Sequence, residues 1–350
     1  MAKIKKTSVP MLTTALLLAG AAGQAAACAS CGCSMSSDAA MGYSDTSGWR
    51  FNVEYDYINQ DQLRSGSGSV SQASVANINN AGGNQEVENQ TINRYINFGI
   101  SYKPNADWGI SALIPYIDRS HSTYGAATTD QLTPDNLSSA TSSGLGDIKL
   151  IGSWQGLLPT HNLGFQLGIK LPTGNYGGQN TATNATVGHS PVFFSAGPNA
   201  GSALDTSLNT GTGSTDLIVG MFYYQPISQN FDAFFNAQYQ SAVMTNLNQP
   251  NADFRPGTQT NVSFGVRYEA NPLFVPQLQI NITNKTADHG ALADEPDTAG
   301  VVSYLSPGIT ATIVKNVQAY GFIQLPLYSK LEGYQLAPRW TASVGLSYAY

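Results

Sequence analysis

The sequence predicts an all-β protein, a transmembrane antiparallel up-and-down β-barrel of about 12 strands with short periplasmic turns and long extracellular loops. Three observations predict it. Apolar and polar residues alternate with period two along most of the chain, and connections alternate between short and long. Charged residues make up only 11% of the chain, about half the usual share of a soluble domain.

The chain begins MAKIKK, with Lys3, Lys5 and Lys6 and no acid, followed by an apolar run from Val9 to Ala22 and the small residues GQAAA. A basic start, a short apolar middle and a small-residue exit describe a secretory signal peptide over residues 1–27. Its removal takes the formal net charge from −6 to −9. No later run reaches the 20 or so apolar residues that a spanning helix needs. The expected organisation is a signal peptide at 1–27, a periplasmic Cys-rich segment at 28–47 and a barrel at 48–350, placed in a bacterial outer membrane.

Successive side chains of a strand point to opposite faces, so alternation reads as strand. WRFNVEYDY sets Phe51, Val53, Tyr55 and Tyr57 against Asn52, Glu54 and Asp56. NLGFQLGIKL sets Leu163, Phe165, Leu167, Ile169 and Leu171 against Gly164, Gln166, Gly168 and Lys170. RWTASVGLSYAY closes the chain in the same way. Twelve such segments start near Trp49, Thr91, Asp107, Gly146, Asn162, Thr215, Asn230, Thr258, Val275, Val301, Asn316 and Arg339. Each is about the 9–11 residues that a tilted strand uses to cross a bilayer. The stretches KPNAD, GLLPTH, PISQN, EANP and VKN are short turns. Residues 60–90, 119–143 and 173–212 are long loops, the longest carrying Pro191, Val192, Phe193 and Phe194 as an apolar group able to dock on lumen aromatics. A soluble sandwich also alternates, but six long loops on one end favour the barrel. Trp49, Trp108 and Trp154 fall at short-turn ends and Trp340 at a long-loop end, where interfacial belts belong.

If Phe51, Phe165 and Leu346 face lipid, the opposite parity faces the lumen. That places Arg50, Lys149, Lys170, Arg267 and Arg339 inside with Glu54, Asp56, Asp147, Asp232 and Glu269. Five charges balance five, so no single-sign ring marks an ion-selective pore. Asn and Gln fill much of the remainder, beside Tyr95, Tyr224, Phe234 and Phe322.

Two glycine-rich strand entries echo one another, SSGLGDIKL at 142–150 and GTGSTDLIV at 211–219. A phosphate-binding loop needs a helix N-terminus after its glycines, and both runs lead into strands. The glycines are therefore read as bends where the chain re-enters the wall. GLGDIKL, the IKLPTG of 169–174 and the GTGSTDLIVG of 211–220 together resemble the outer-membrane barrel family named for the MetA pathway of phenol degradation. The resemblance spans roughly residues 90–350. It implies a relation in fold to fatty-acid and aromatic-hydrocarbon transporters, and passive uptake of small solutes, apolar or aromatic ones included. The fatty-acid transporters carry a sizeable N-terminal plug, whereas only residues 28–48 precede the first strand here.

An enzyme is not expected. His121, His189 and His289 are read in long loops and His161 in a short turn, and none falls in a serine-hydrolase pattern. The expected partners are outer-membrane lipids, small-molecule solutes and the outer-membrane assembly machinery, with no nucleic acid. No cofactor is expected in the barrel. Cys28, Cys31 and Cys33 are the three cysteines of the chain. In an oxidising periplasm they pair, carry a lipid, or bind a soft metal such as Cu(I) or Zn. That leaves a second reading, an accessory outer-membrane barrel whose cysteine cluster recruits a periplasmic metal or redox partner.

Overall fold

The structure is a computed structural model and describes residues 47–350. The predicted signal peptide and Cys28, Cys31 and Cys33 lie outside the described residues. Eleven continuous strand segments close an antiparallel barrel in chain order. They are β1 (Gly48–Gly66), β2 (Glu88–Lys103), β3 (Trp108–Thr123), β4 (Lys149–Trp154), β5 (Leu163–Lys170), β6 (Ser214–Pro226), β7 (Phe231–Thr245), β8 (Gln259–Tyr268), β9 (Phe274–Lys285), β10 (Gly300–Val314) and β11 (Val317–Ala349). Each pairs with its neighbour in sequence, and β11 pairs with β1 to close the ring. At the seam, Trp49 and Tyr350 exchange backbone hydrogen bonds of 3.1 and 2.8 Å.

Two segments depart from a simple meander. β11 has 33 residues, which extended would span about 110 Å at ~3.3 Å per residue. Instead Val317–Leu331 pairs with β10 and Leu331–Ala349 pairs with β1. The segment folds back near Gly333, which has φ +50°, and brings Tyr320 against Gly345. The second departure lies beside β3. Its loop-side half pairs with a short strand, Ser138–Leu145, and its turn-side half pairs with β4, so residues 146–148 interrupt the wall.

Several strands are longer than bilayer thickness requires. β1 has 19 residues and β2 and β3 have 16 each, against an expected 9–11. The wall rises beyond the apolar band, and part of what the sequence suggested as loop (60–66 and 119–123) is strand. His121 accordingly sits on β3, buried, with Nδ1 2.8 Å from Thr91 Oγ1. No helix among the described residues is long and apolar enough to cross a membrane. One α-helix, Gln72–Asn80, is capped by Ser71 and buries Val75 and Ala76 against Leu63, Val87 and Leu336.

The outer face is the apolar one. Phe51, Val53, Phe98, Ile110, Leu167, Val219, Phe264, Leu278 and Leu346 are all exposed. Aromatic rings cluster at the short-turn rim, where Trp49 meets Tyr102 at 4.7 Å, Trp108 meets Trp154 at 6.4 Å and Phe231 meets Tyr268 at 4.9 Å. On the opposite rim Trp340 lies 5.8 Å from Tyr57. Two girdles bounding an apolar band are what a bilayer selects.

Inside, the large aromatics sit over glycines of neighbouring strands. Phe222 lies opposite Gly164, Phe234 opposite Gly265 and Phe322 opposite Gly308 in the strand registers. In each case, as for Tyr320 and Gly345, the ring occupies the space that a Cβ on the glycine would take. The rings are thereby buried against the wall.

Candidate functional site

The three glycine-rich motifs meet at one place. Asp147, from the interruption before β4, accepts from Lys170 Nζ at 2.7 Å. Lys170, at the end of β5, also lies 3.4 Å from Asp216 and donates to Ser214 at 3.1 Å, both on β6. Gly174 N and Thr212 N donate to the two oxygens of Asp147, each at 3.1 Å. Gln240 of β7 donates to Asp216 at 2.6 Å. These three charged side chains are at most 8% exposed. The glycines permit the close approach, because a Cβ on Gly211 would stand 2.8 Å from the Cα of Gly174. Bending is thus only part of their role. They let the two ends of the longest loop lie side by side over Asp147.

From this clasp residues 173–212 fold into the barrel mouth. They form a compact insert with a small hairpin, Tyr176–Gln179 and Thr186–His189. Asn209 staples it internally, accepting from Val192 N at 2.9 Å and donating to Gly177 O at 3.2 Å. Arg119 of β3, 2% exposed, pins the insert to the wall. Its Nη1 donates to Asn209 O at 3.1 Å while Nη2 donates to Tyr95 Oη at 2.9 Å. Phe194 packs with Ala140, Leu204 and Leu208, with Val192 against them, and its ring lies 6.1 Å from that of His121. The apolar group of the loop therefore docks on the loop-side wall and on its own insert, not on Tyr95, Tyr224, Phe234 or Phe322.

The insert divides the interior. Above it is a vestibule of about 800 Å³ lined by Glu86, Glu88, Asp205, Asp294 and Asp297, with no lysine or arginine. Below it is a chamber of about 210 Å³, roofed by residues 207–212 on one side and by Phe254, Pro256 and Gly257 on the other. A third cavity of about 210 Å³ opens at the short-turn end beside Arg50, Lys103 and Tyr350.

The vestibule carboxylates tie loops together. Asp297 accepts from Gln85 Nε2 at 2.7 Å and from Tyr334 N at 2.6 Å, and Glu88 accepts from Leu336 N at 3.1 Å. Burial raises the Asp294 carboxyl to about 8, assisted by the charges of Asp297, Asp205 and Glu86. Burial also raises Glu86, Asp205 and Asp297. A carboxyl with a raised folded-state pKa holds its proton more tightly in the folded loops than in the open ones. Its stabilising contribution therefore falls as pH rises from about 4 to about 8. Hydrogen exchange of residues 291–299 should be faster at pH 9 than at pH 5 after correction for the intrinsic rate, and equal protection at both would refute this linkage.

The chain matches, over residues 60–348, the family described as "Putative MetA-pathway of phenol degradation". It belongs to that family. An outer membrane channel from Pseudomonas putida F1 has the same fold, with TM-score 0.62 and 11% identity over 88% of this chain and 97% of that one. The Ralstonia pickettii toluene transporter TbuX is 11% identical over 90% of this chain and 92% of that one, with TM-score 0.43. The P. putida toluene transporter TodX is 10% identical over 90% and 93%, with TM-score 0.41. No curated protein matches the chain.

Most of the lumen residues expected from sequence face inward in this MetA-pathway barrel. Glu54, Asp56, Asp147, Lys170 and Asp232 are buried, and Arg267 pairs with Glu269 at 3.2 Å. Lys149 lines the chamber and Arg50 the lowest cavity. Arg339 is the exception. Its side chain is 62% exposed and pairs at 3.1 Å with Asp61 on the outer face. Register shifts between Ile58, Gln60 and Gln62 put extra residues into the β1–β11 ladder, and beyond them the parity inverts. Arg119, Asp216, Lys285 and Asp288 also line the chamber and were missed. Three of these four lie beyond the expected strand ends or at them. No group of three or more His, Cys, Asp or Glu side chains placed to hold a metal occurs among the described residues.

Proposed function

We propose that the protein is an outer-membrane channel for passive uptake of small solutes, apolar and aromatic ones included. Its long loops face outward, and its wall crosses the bilayer twelve times when the two halves of β11 are counted separately and Ser138–Leu145 is counted with β4. The observation that carries the proposal is the succession of cavities along one lumen, about 800 Å³ above the insert and about 210 Å³ below it. The large aromatics Phe222, Phe234, Phe322 and Tyr320 lie over glycines, held against the wall.

The rival reading, an accessory barrel that recruits a periplasmic metal or redox partner through Cys28, Cys31 and Cys33, requires no continuous lumen. The cavities favour the channel. Reconstituted in a planar bilayer, the folded protein should give discrete conductance steps. A silent bilayer, with folded barrel recovered from it, would overturn the channel.

A further inference from the structure

The lowest cavity, at the short-turn end, differs in charge from the rest of the lumen. Its volume is about 210 Å³, and the charged side chains that line it are Arg50 of β1 and Lys103 of β2. The vestibule at the other mouth has carboxylates and no lysine or arginine, and the chamber between them holds both signs. Tyr350 also borders the lowest cavity, and with its terminal carboxylate counted the cations remain in excess by two to one.

The strand register sets the two cations close together. Arg50 lies opposite Ser101, and Lys103 follows two residues on, so they are diagonal neighbours on the inner face. Lys103 is 9% exposed, which denies it most of the screening that water gives like charges. Its Nζ donates to Gln155 Oε1 at 3.3 Å, a neutral acceptor that does not cancel its charge.

Hydroxyls complete the lining. Ser111 lies opposite Ser101, and Ser153 lies opposite Gly109. A Cβ on Gly109 would stand 2.7 Å from Ser153 Oγ and 3.4 Å from Lys103 Cγ, so this glycine lets the hydroxyl and the lysine stem close in from both sides. Ser111 Oγ donates to Ile151 O at 3.4 Å, at the weak end of hydrogen bonding.

We infer that this cavity binds one small oxyanion, a phosphate or a carboxylate group, between Arg50 and Lys103 with serine hydroxyls donating to its oxygens. A guanidinium offers paired N–H donors to two oxygens of such a group, and an ammonium adds a compact charge. The bound anion relieves the repulsion between the two cations. A neutral hydrocarbon gains nothing from either. The site goes beyond the channel reading and stands without it, because the cavity opens at the short-turn end.

The test is titration calorimetry on the refolded full chain in neutral detergent, at an ionic strength held constant with chloride. Inorganic phosphate and propionate are titrated separately, and the tighter of the two identifies the source of the oxyanion. At least one should show a single saturable site. Arg50→Gln should weaken it about tenfold or more, and Ser153→Ala, which keeps every charge, several-fold. Lys315→Gln removes an exposed cation from the turn between β10 and β11, on the same rim but outside the cavity, and should leave the affinity unchanged. No saturable binding of either anion to the wild type overturns the inference whether or not the variants fold. So does an unchanged affinity in a folded Arg50→Gln. Equal losses in Arg50→Gln and Lys315→Gln also overturn it, since they would mean diffuse attraction by the rim rather than a site.

Discussion

Deleting residues 180–205 should raise single-channel conductance several-fold. The deletion is short to bridge, because Thr206 Oγ1 already lies 3.3 Å from Gly177 O and Ala203 N lies 2.9 Å from Gln179 Oε1. It removes one wall of the vestibule and the Val192 N–H that holds Asn209, so the chamber roof at 207–212 loses its internal staple. Long loops without much regular structure are usually functional, and this one stands in the path of any solute moving between vestibule and chamber. Single-channel recording of deletion and wild type under the same salt checks it. An unchanged unit conductance would mean that solutes already pass beside the insert without hindrance from it.

Lys170→Met should cost about 3–5 kcal/mol, the usual result of removing one member of a buried ion pair. Lys170 Nζ lies 2.7 Å from Asp147 and 3.4 Å from Asp216, and its side chain is 5% exposed. Its loss takes the bridging cation from two buried carboxylates at the point where the loop ends are gathered. The measurement is the denaturant midpoint of the barrel in micelles. Adding Asp147→Asn to the same variant should recover part of the loss, because it removes one of the two carboxylate charges. A midpoint within experimental scatter of wild type for Lys170→Met would show that the clasp contributes little to stability.

Much of the barrel could be read from residues because strands enforce alternation. Leu163 to Leu171 is unambiguous, and the same parity turned Lys170 and Asp147 inward. Parity fails where the ladder slips. At Arg339 nothing local signals the register shifts opposite Ile58 and Gln60, so a lumen charge became a surface one. Strand ends were harder to place, since alternation weakens in polar, Ser-rich and Thr-rich segments. β3 runs through Thr123, and stopping it near Asp118 hid Arg119 and His121 from the lumen. The meeting of Asp147, Lys170 and Asp216 was out of reach for another reason. It depends on the path of a forty-residue excursion that returns to its origin, and no periodicity encodes that return. The inward fold of Phe254 and Gly257 escaped notice for the same reason. The three motifs nonetheless carried a signal, since each pairs glycine with a polar side chain next to an aliphatic strand.

The glycines under Phe222, Phe234, Phe322 and Tyr320 have a consequence for how the width of this conduit can change over time. Each pair works as an adjustable inset, and the inset is governed by the smallest side chain in it. Replacing such a glycine by alanine or valine leaves the wall its hydrogen bonds but takes away the recess, so the ring must swing toward the axis. The interior can therefore be narrowed at four glycines without altering a loop, a charge or the outer surface. A lineage of these barrels could be regauged for solutes of different girth by single methyl-sized changes, while the clasp and the vestibule stay as they are.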